Sequence, residues 1–121
     1  MPTRILIAED NADLAQSLHY VLGFEPGLEA VGYVTTAREA VAAVGSLRAD
    51  VLVCDLQLRD GTAFDVLDRL GADATSKLRV IVHTGYRDPA LQSEVERRGA
   101  AYVVKPDLDR LLQAVHAAKP V

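Results

Sequence analysis

The chain has 121 residues, half of them apolar and a quarter charged, with a formal net charge of −4. That length supports one domain over residues 1–121 with a single core, and the acidic balance argues against a nucleic-acid surface. No apolar run reaches membrane-span length, the N-terminus lacks the apolar core of a signal peptide, and Cys54 as sole cysteine excludes a disulfide framework or thiolate metal site. A cytoplasmic protein without membrane or direct nucleic-acid contact is the expectation.

Strand-like and helix-period segments alternate five times. Arg4–Ala8 is an apolar run that leads into Glu9 and Asp10. Leu14, Leu18, Val21 and Leu22 follow at helical spacing and predict one inward face. Pro26 and Gly27 break the chain before a strand over Glu29–Val34. Thr36 and Glu39 form a capping box for a second helix, with Ala37, Ala40, Val41 and Val44 inward and Gly45 weakening its end.

Val51–Cys54 is wholly apolar and reads as a strand buried on both faces, ending at Asp55. Residues 56–61 read as a polar loop, and Phe64, Leu67 and Leu70 mark a third helix. A fourth strand, Val80–His83, runs into Thr84. Asp88 and Pro89 start a fourth helix whose only apolar anchors are Leu91 and Val95, closed by Gly99. A fifth strand, Ala101–Val104, runs into Lys105 and Pro106. Asp107 then caps a fifth helix with Leu108, Leu111, Leu112 and Val115 inward. This alternation predicts an α/β doubly wound fold, a parallel sheet with helices on both faces. Right-handed crossovers make 2-1-3-4-5 a leading strand order. In that order Glu9, Asp10 and Asp55 meet at the topological switch point.

Three carboxylates held together raise one another's pKa values unless a cation neutralises them. Oxygen-only ligands suit Mg²⁺, and an Asp beside that ion fits a nucleophile for phosphoryl transfer. Lys105 offers positive charge for the transferred group and Thr84 a hydroxyl.

Glu9-Asp10, Asp55, Thr84 and Lys105-Pro106, each at a strand end and in this order, resemble the receiver domain of bacterial two-component response regulators. The resemblance covers the whole chain and implies a flavodoxin-like (βα)5 fold. It implies Asp55 as phosphoacceptor from a phosphohistidine, with a sensor histidine kinase or histidine phosphotransfer protein upstream and a protein target downstream. It implies Mg²⁺ held by Glu9, Asp10, Asp55 and the backbone carbonyl of Gln57. Thr84 and Lys105 would bind the phosphoryl group, Thr84 and Tyr102 would form the switch, and Lys105-Pro106 matches the family's cis peptide. Gln57 and Tyr86 fall at the positions that tune hydrolysis of the acyl phosphate. Output would pass through the fourth helix, fifth strand and fifth helix. Arg59 departs from the proline common in receivers, Ala63 from glycine, and the segment Gly99–Tyr102 is one residue shorter than usual.

The remaining candidates read as structural. Cys54 is a buried core thiol, and His83, beside Thr84, has a structural role. His19 and His116 are isolated on helices without metal-ligand partners, and Arg97 and Arg98 form a solvated helix end. The leading functional expectation is a stand-alone receiver, a phosphorylation-controlled binding module or a phosphorelay shuttle that passes the phosphoryl group on, and not an enzyme. A phosphatase using an aspartyl phosphate is the runner-up, disfavoured because Glu9-Asp10-Asn11 lacks the Asp-x-Asp spacing of dehalogenase-like phosphatases. A phosphorylation-independent scaffold is a third reading, and none of the acid, Thr or Lys positions it would dispense with is missing.

Overall fold

Short β-branched and aliphatic runs separated by amphipathic segments fold here as five successive strand–helix units. The structure, a computed structural model, describes residues 1–75 and 77–118, with residues 72–75 described by their backbone. Residues 76 and 119–121, which the single-domain expectation also spans, lie outside the described residues. Strands β1 (Thr3–Ala8), β2 (Leu28–Val34), β3 (Val51–Cys54), β4 (Arg79–Thr84) and β5 (Ala101–Val104) form one sheet. All neighbours pair in parallel, in the order β2-β1-β3-β4-β5 when the strands of this sheet are counted along the chain. This is the expected doubly wound, flavodoxin-like arrangement.

Helices α1 (Ala12–Gly23) and α5 (Leu108–Ala117) cover one face, packing Ala15, Leu18, Leu22, Leu111 and Val115 on Ile5, Ile7, Val51, Val53, Ile81 and Val103. Helices α2 (Ala37–Ser46), α3 (Ala63–Thr75) and α4 (Pro89–Arg97) cover the other, over Leu6, Leu52, Cys54, Val80, Val82 and Tyr102. Both sets alternate along each strand because successive strand residues point to opposite faces. Leu52 is fully buried, so truncating it to Ala would cost about 2–5 kcal/mol.

The expected caps form. Thr36 Oγ1 accepts the Glu39 N–H at 3.1 Å and its hydroxyl donates to Glu39 Oε1 at 2.9 Å. Asp88 Oδ1 accepts from the N–H groups of Ala90 and Leu91, and Asp107 Oδ1 from that of Arg110. Gly99, at φ 84°, closes α4 in the left-handed region that glycine tolerates.

Several expectations need correction. Strand β2 begins one residue earlier, at Leu28. The segment after Asp55 is not simply polar: Gln57–Leu58 pairs antiparallel with Gly61–Thr62, and Leu56 and Leu58 are buried. Helix α3 is interrupted at Gly71, whose φ of 76° and ψ of 169° are not helical. Val21 and Leu108 do not face the core; both lie at the rim and are exposed. The sheet covers only the centre of each helical stripe, so residues at the stripe's edge fall outside.

Arg98 is more than a solvated helix end. It bonds Asp68 at 2.8 Å and Glu94 at 3.3 Å and lies 4.7 Å from the centre of the Phe64 ring, tying α4 to α3. Arg97 also pairs with Glu94. His116 is likewise not isolated, since its Nε2 lies 3.0 Å from Glu25 Oε1.

Candidate functional site: an acidic cluster bridged by a lysine

Parallel register brings the ends of the three central strands and of β5 to one edge. Ala8 is level with Cys54, Cys54 with Val82, and Thr84 with Val104. Past those positions the chain leaves the sheet, and the residues that follow carry the polar chemistry. The Asp55 N–H donates to the Ala8 carbonyl at 2.8 Å and the Lys105 N–H to the Thr84 carbonyl at 2.7 Å. The ladder therefore extends one bond beyond each strand and fixes both residues.

Glu9, Asp10 and Asp55 each present a carboxylate oxygen, and these atoms lie within 4.8 Å of one another. Glu9 is buried, Asp55 partly buried and Asp10 exposed. Lys105 Nζ stands 2.5 Å from Glu9 Oε1 and 3.3 Å from Asp55 Oδ2. The other Glu9 oxygen accepts the Asn11 N–H at 3.1 Å. Asn11 is itself the N-cap of α1, its Oδ1 accepting from Leu14 N–H at 3.1 Å. Asn11, and neither Glu9 nor Asp10, therefore caps α1. An all-oxygen donor set of this size can hold a metal ion.

The charges are coupled. Burial and the hydrogen bond that its protonated form gives to Glu9 push the Asp55 carboxyl up to about 7, against the pull of Lys105. Burial also raises the Glu9 carboxyl, but Lys105, Asp55 and the Asn11 N–H outweigh it and hold Glu9 below its ordinary value. Burial lowers the Lys105 ammonium, yet its two carboxylate partners carry it above its usual range. With the proton favoured on Asp55, the ionised Glu9 carboxylate pairs with the Lys105 ammonium, which leaves little uncompensated buried charge. Cys54 is fully buried and its thiol is pushed up to about 12 by burial and by Asp55, so it is inert, as expected of a core thiol.

Thr84 is fully buried, with its Oγ1 accepting the Tyr86 N–H at 3.2 Å. Tyr102 is buried too, and its hydroxyl donates to the Tyr86 carbonyl. The Tyr86 backbone thereby links Thr84 to Tyr102, while the Tyr86 ring is 59% exposed. Gln57 is exposed at the start of the short ribbon, two residues past Asp55. The Lys105-Pro106 peptide is cis.

Two neighbours of the site escape sequence reading. Asp60 Oδ1 and Oδ2 accept from the N–H groups of Ala37 and Arg38, at 2.5 and 3.2 Å, pinning the ribbon to the start of α2. Arg59 Nη2 reaches the Asp10 carbonyl at 3.4 Å. The Asp60-Gly61 pair signals a turn, but nothing local says that its carboxylate meets a helix 22 and 23 residues earlier.

Comparison with known proteins bears on the family and the fold. The response regulator receiver domain family matches residues 5–116. The DNA-binding transcriptional activator DevR/DosR of Mycobacterium tuberculosis is 31% identical over 107 residues, covering 84% of this chain and 47% of its own length. Protein-glutamate methylesterase/protein-glutamine glutaminase 5 of Myxococcus xanthus is 30% identical over 103 residues, covering 85% of this chain and 30% of its own. The chain thus spans less than half the length of either relative. In fold it is similar to the response regulator domain of Thermotoga maritima CheB, with a TM-score of 0.85 at 23% identity over 98% of this chain and 96% of that one. It is also similar to the receiver domain of a Vibrio parahaemolyticus LuxO-type repressor, with a TM-score of 0.83 at 24% identity over 98% and 90%. The family model spans nearly the whole chain and the solved receivers share its fold: the chain belongs to the response regulator receiver domain family.

Proposed function

We propose that Asp55 accepts a phosphoryl group from a phosphohistidine on a sensor histidine kinase or histidine phosphotransfer protein. One observation carries this reading: Lys105 bridges Glu9 and Asp55 at the sheet edge, so a fixed cation already stands beside the nucleophile. In the transfer, an Asp55 oxygen attacks phosphorus, the P–N bond breaks, and the imidazole leaves with its electron pair. Asp55 attacks as the carboxylate, so the proton that burial and Glu9 favour there must first be lost.

The oxygen-only donor set fits Mg²⁺, with Glu9, Asp10, Asp55 and the Gln57 backbone carbonyl as its holders. Bound there, Mg²⁺ would neutralise the carboxylates and draw charge from the phosphoryl oxygens. Lys105 and the Thr84 hydroxyl then bind the phosphoryl group on Asp55. Thr84 communicates with Tyr102 through the Tyr86 backbone, and the output surface is formed by α4, β5 and α5. We assign it a downstream protein target rather than DNA, a membrane or a reaction of its own.

The test is intact-mass measurement after incubation with acetyl phosphate and Mg²⁺. One added phosphoryl group is expected, absent without Mg²⁺ and in Asp55→Asn. Equal labelling of that variant would overturn the assignment.

A further inference from the structure

Strand β5 ends beside the first turns of α4 and α5, and an open pocket of about 410 Å³ lies there. Tyr102 and Val104 of β5, Gln92 of α4 and Arg110 of α5 line it, with Arg87 from the segment before α4. Arg87 and Arg110 are exposed, and neither side chain has a hydrogen bond or an ion pair among the described residues. Arg4, Arg97 and Arg98, by contrast, each meet a carboxylate of the chain. The carboxylate in the lining, that of Asp107, is committed through Oδ1 to capping α5 at the Arg110 N–H. Lys105 also borders the pocket, but Glu9 and Asp55 hold its ammonium, which belongs to the phosphoryl site.

Two uncommitted guanidinium groups thus share one recess on a chain whose net charge is −4. A guanidinium takes a carboxylate through two parallel N–H···O bonds. An anion that the chain as a whole repels is held only where the local field is positive. The two cations stand on different elements and the recess is open, which suits an extended segment bearing several carboxylates.

We infer that this recess binds an acidic segment of the downstream protein, Arg87 and Arg110 each pairing with one of its carboxylates. It rests on the output surface proposed above and names the partner chemistry that this surface takes. Arg87 directly follows Tyr86, whose backbone bonds both Thr84 and Tyr102. Movement of Thr84 would shift Arg87 relative to Arg110, so a phosphoryl group on Asp55 adjusts the fit of the segment.

The probe is a terminally blocked hexaglutamate peptide, added to the full chain without phosphodonor or metal. It should shift the amides of residues 87, 92, 102 and 110 saturably in NMR spectra, with affinity falling as salt is added. Arg87→Gln and Arg110→Gln, both at exposed positions, should each weaken binding at least about threefold. Arg38→Gln, equally exposed but on α2, should leave it unchanged. Free glutamate at equal carboxylate concentration should bind at least about tenfold more weakly, because nothing links its engagement of one cation to the other. The inference is overturned if the peptide gives no saturable shifts at these residues, or if either Arg87→Gln or Arg110→Gln binds as tightly as the unaltered chain. Equal weakening by Arg38→Gln also overturns it, and so does equal binding of free glutamate, which would mark a small-anion site. Since no phosphodonor is present, a negative result leaves the role of Asp55 standing, and a failure of Asp55 labelling leaves a positive result standing.

Discussion

Lys105 Nζ donates to Glu9 Oε1 at 2.5 Å, joining residues 96 positions apart at the far ends of the chain. The same ammonium lies 3.3 Å from Asp55 Oδ2. A lysine expected only to meet a phosphoryl group is thus already committed to the carboxylates that would hold a metal. It competes with that metal for negative charge, which sets the direction of the first prediction.

Replacing Lys105 with Ala removes a cation from the cluster without removing an oxygen ligand. Mg²⁺ affinity, measured by calorimetric titration, should stay the same or rise by up to about tenfold, equivalent to about 1.4 kcal/mol. The response to phosphorylation should be lost, because no charge then meets the phosphoryl oxygens. A fall in Mg²⁺ affinity like that of Asp10→Ala would contradict this division of roles.

The pH dependence of stability should contain two opposing slopes. Asp55 sits at about 7 in the fold against 3.8 as a free carboxyl, so the folded state binds more protons between those values. Its contribution is full below pH 4 and is lost as pH rises through 7. His83 is lowered from 6.5 to about 4, so the unfolded state binds more protons there, and stability rises from pH 4 to 6.5. Urea melts in EDTA should therefore be nearly flat from pH 4 to 6.5 and fall from 6.5 to 7.5. Asp55→Asn should expose the rising limb alone and His83→Phe the falling limb alone.

Excess Mg²⁺ should abolish the falling limb, since the bound ion keeps Asp55 ionised. It should also stabilise the fold by about 2.7 kcal/mol at a hundred times its Kd. An unchanged melting curve with Mg²⁺ would count against the acidic cluster as its site.

Tyr86 contributes its backbone to the Thr84–Tyr102 link, but its ring is exposed. Any screening of the phosphoryl group by that ring should accordingly be modest. Tyr86→Ala should speed loss of phosphate about threefold in a time course, equivalent to about 0.7 kcal/mol. An equal or slower rate would remove the screening role.

Tyr102 is buried with its hydroxyl on the Tyr86 carbonyl, and Thr84 Oγ1 accepts from the Tyr86 N–H, so one backbone unit touches both switch residues. Beryllofluoride should shift the Thr84 and Tyr86 amides, the Tyr102 ring and the amides of residues 88–98 in NMR spectra. Tyr102→Phe should cost about 1 kcal/mol of stability and quicken amide exchange over residues 85–88. Shifts confined to the Asp55 loop would show that this route is not used.

Local patterns in the sequence determine the five strand–helix units, because apolar periodicity and side-chain caps are energies between near neighbours along the chain. Val51–Cys54, with four apolar residues and Asp55 after them, can sit only inside a covered sheet with its carboxylate emerging at an edge. Thr36, Asp88 and Asp107 bond N–H groups two or three residues ahead, so their helix starts are readable one-dimensionally. The tertiary structure decides what depends on which distant segment arrives. Helical spacing places Val21 and Leu108 on an apolar stripe, but only the docking of α1 and α5 on the sheet leaves both at a groove's rim. Asp60 against the start of α2, Arg98 against Asp68 of α3, and His83 without a hydrogen-bond partner among the described residues have no local signal either. Each follows from parallel register, which sets side by side residues whose separation along the chain carries no interaction energy of its own.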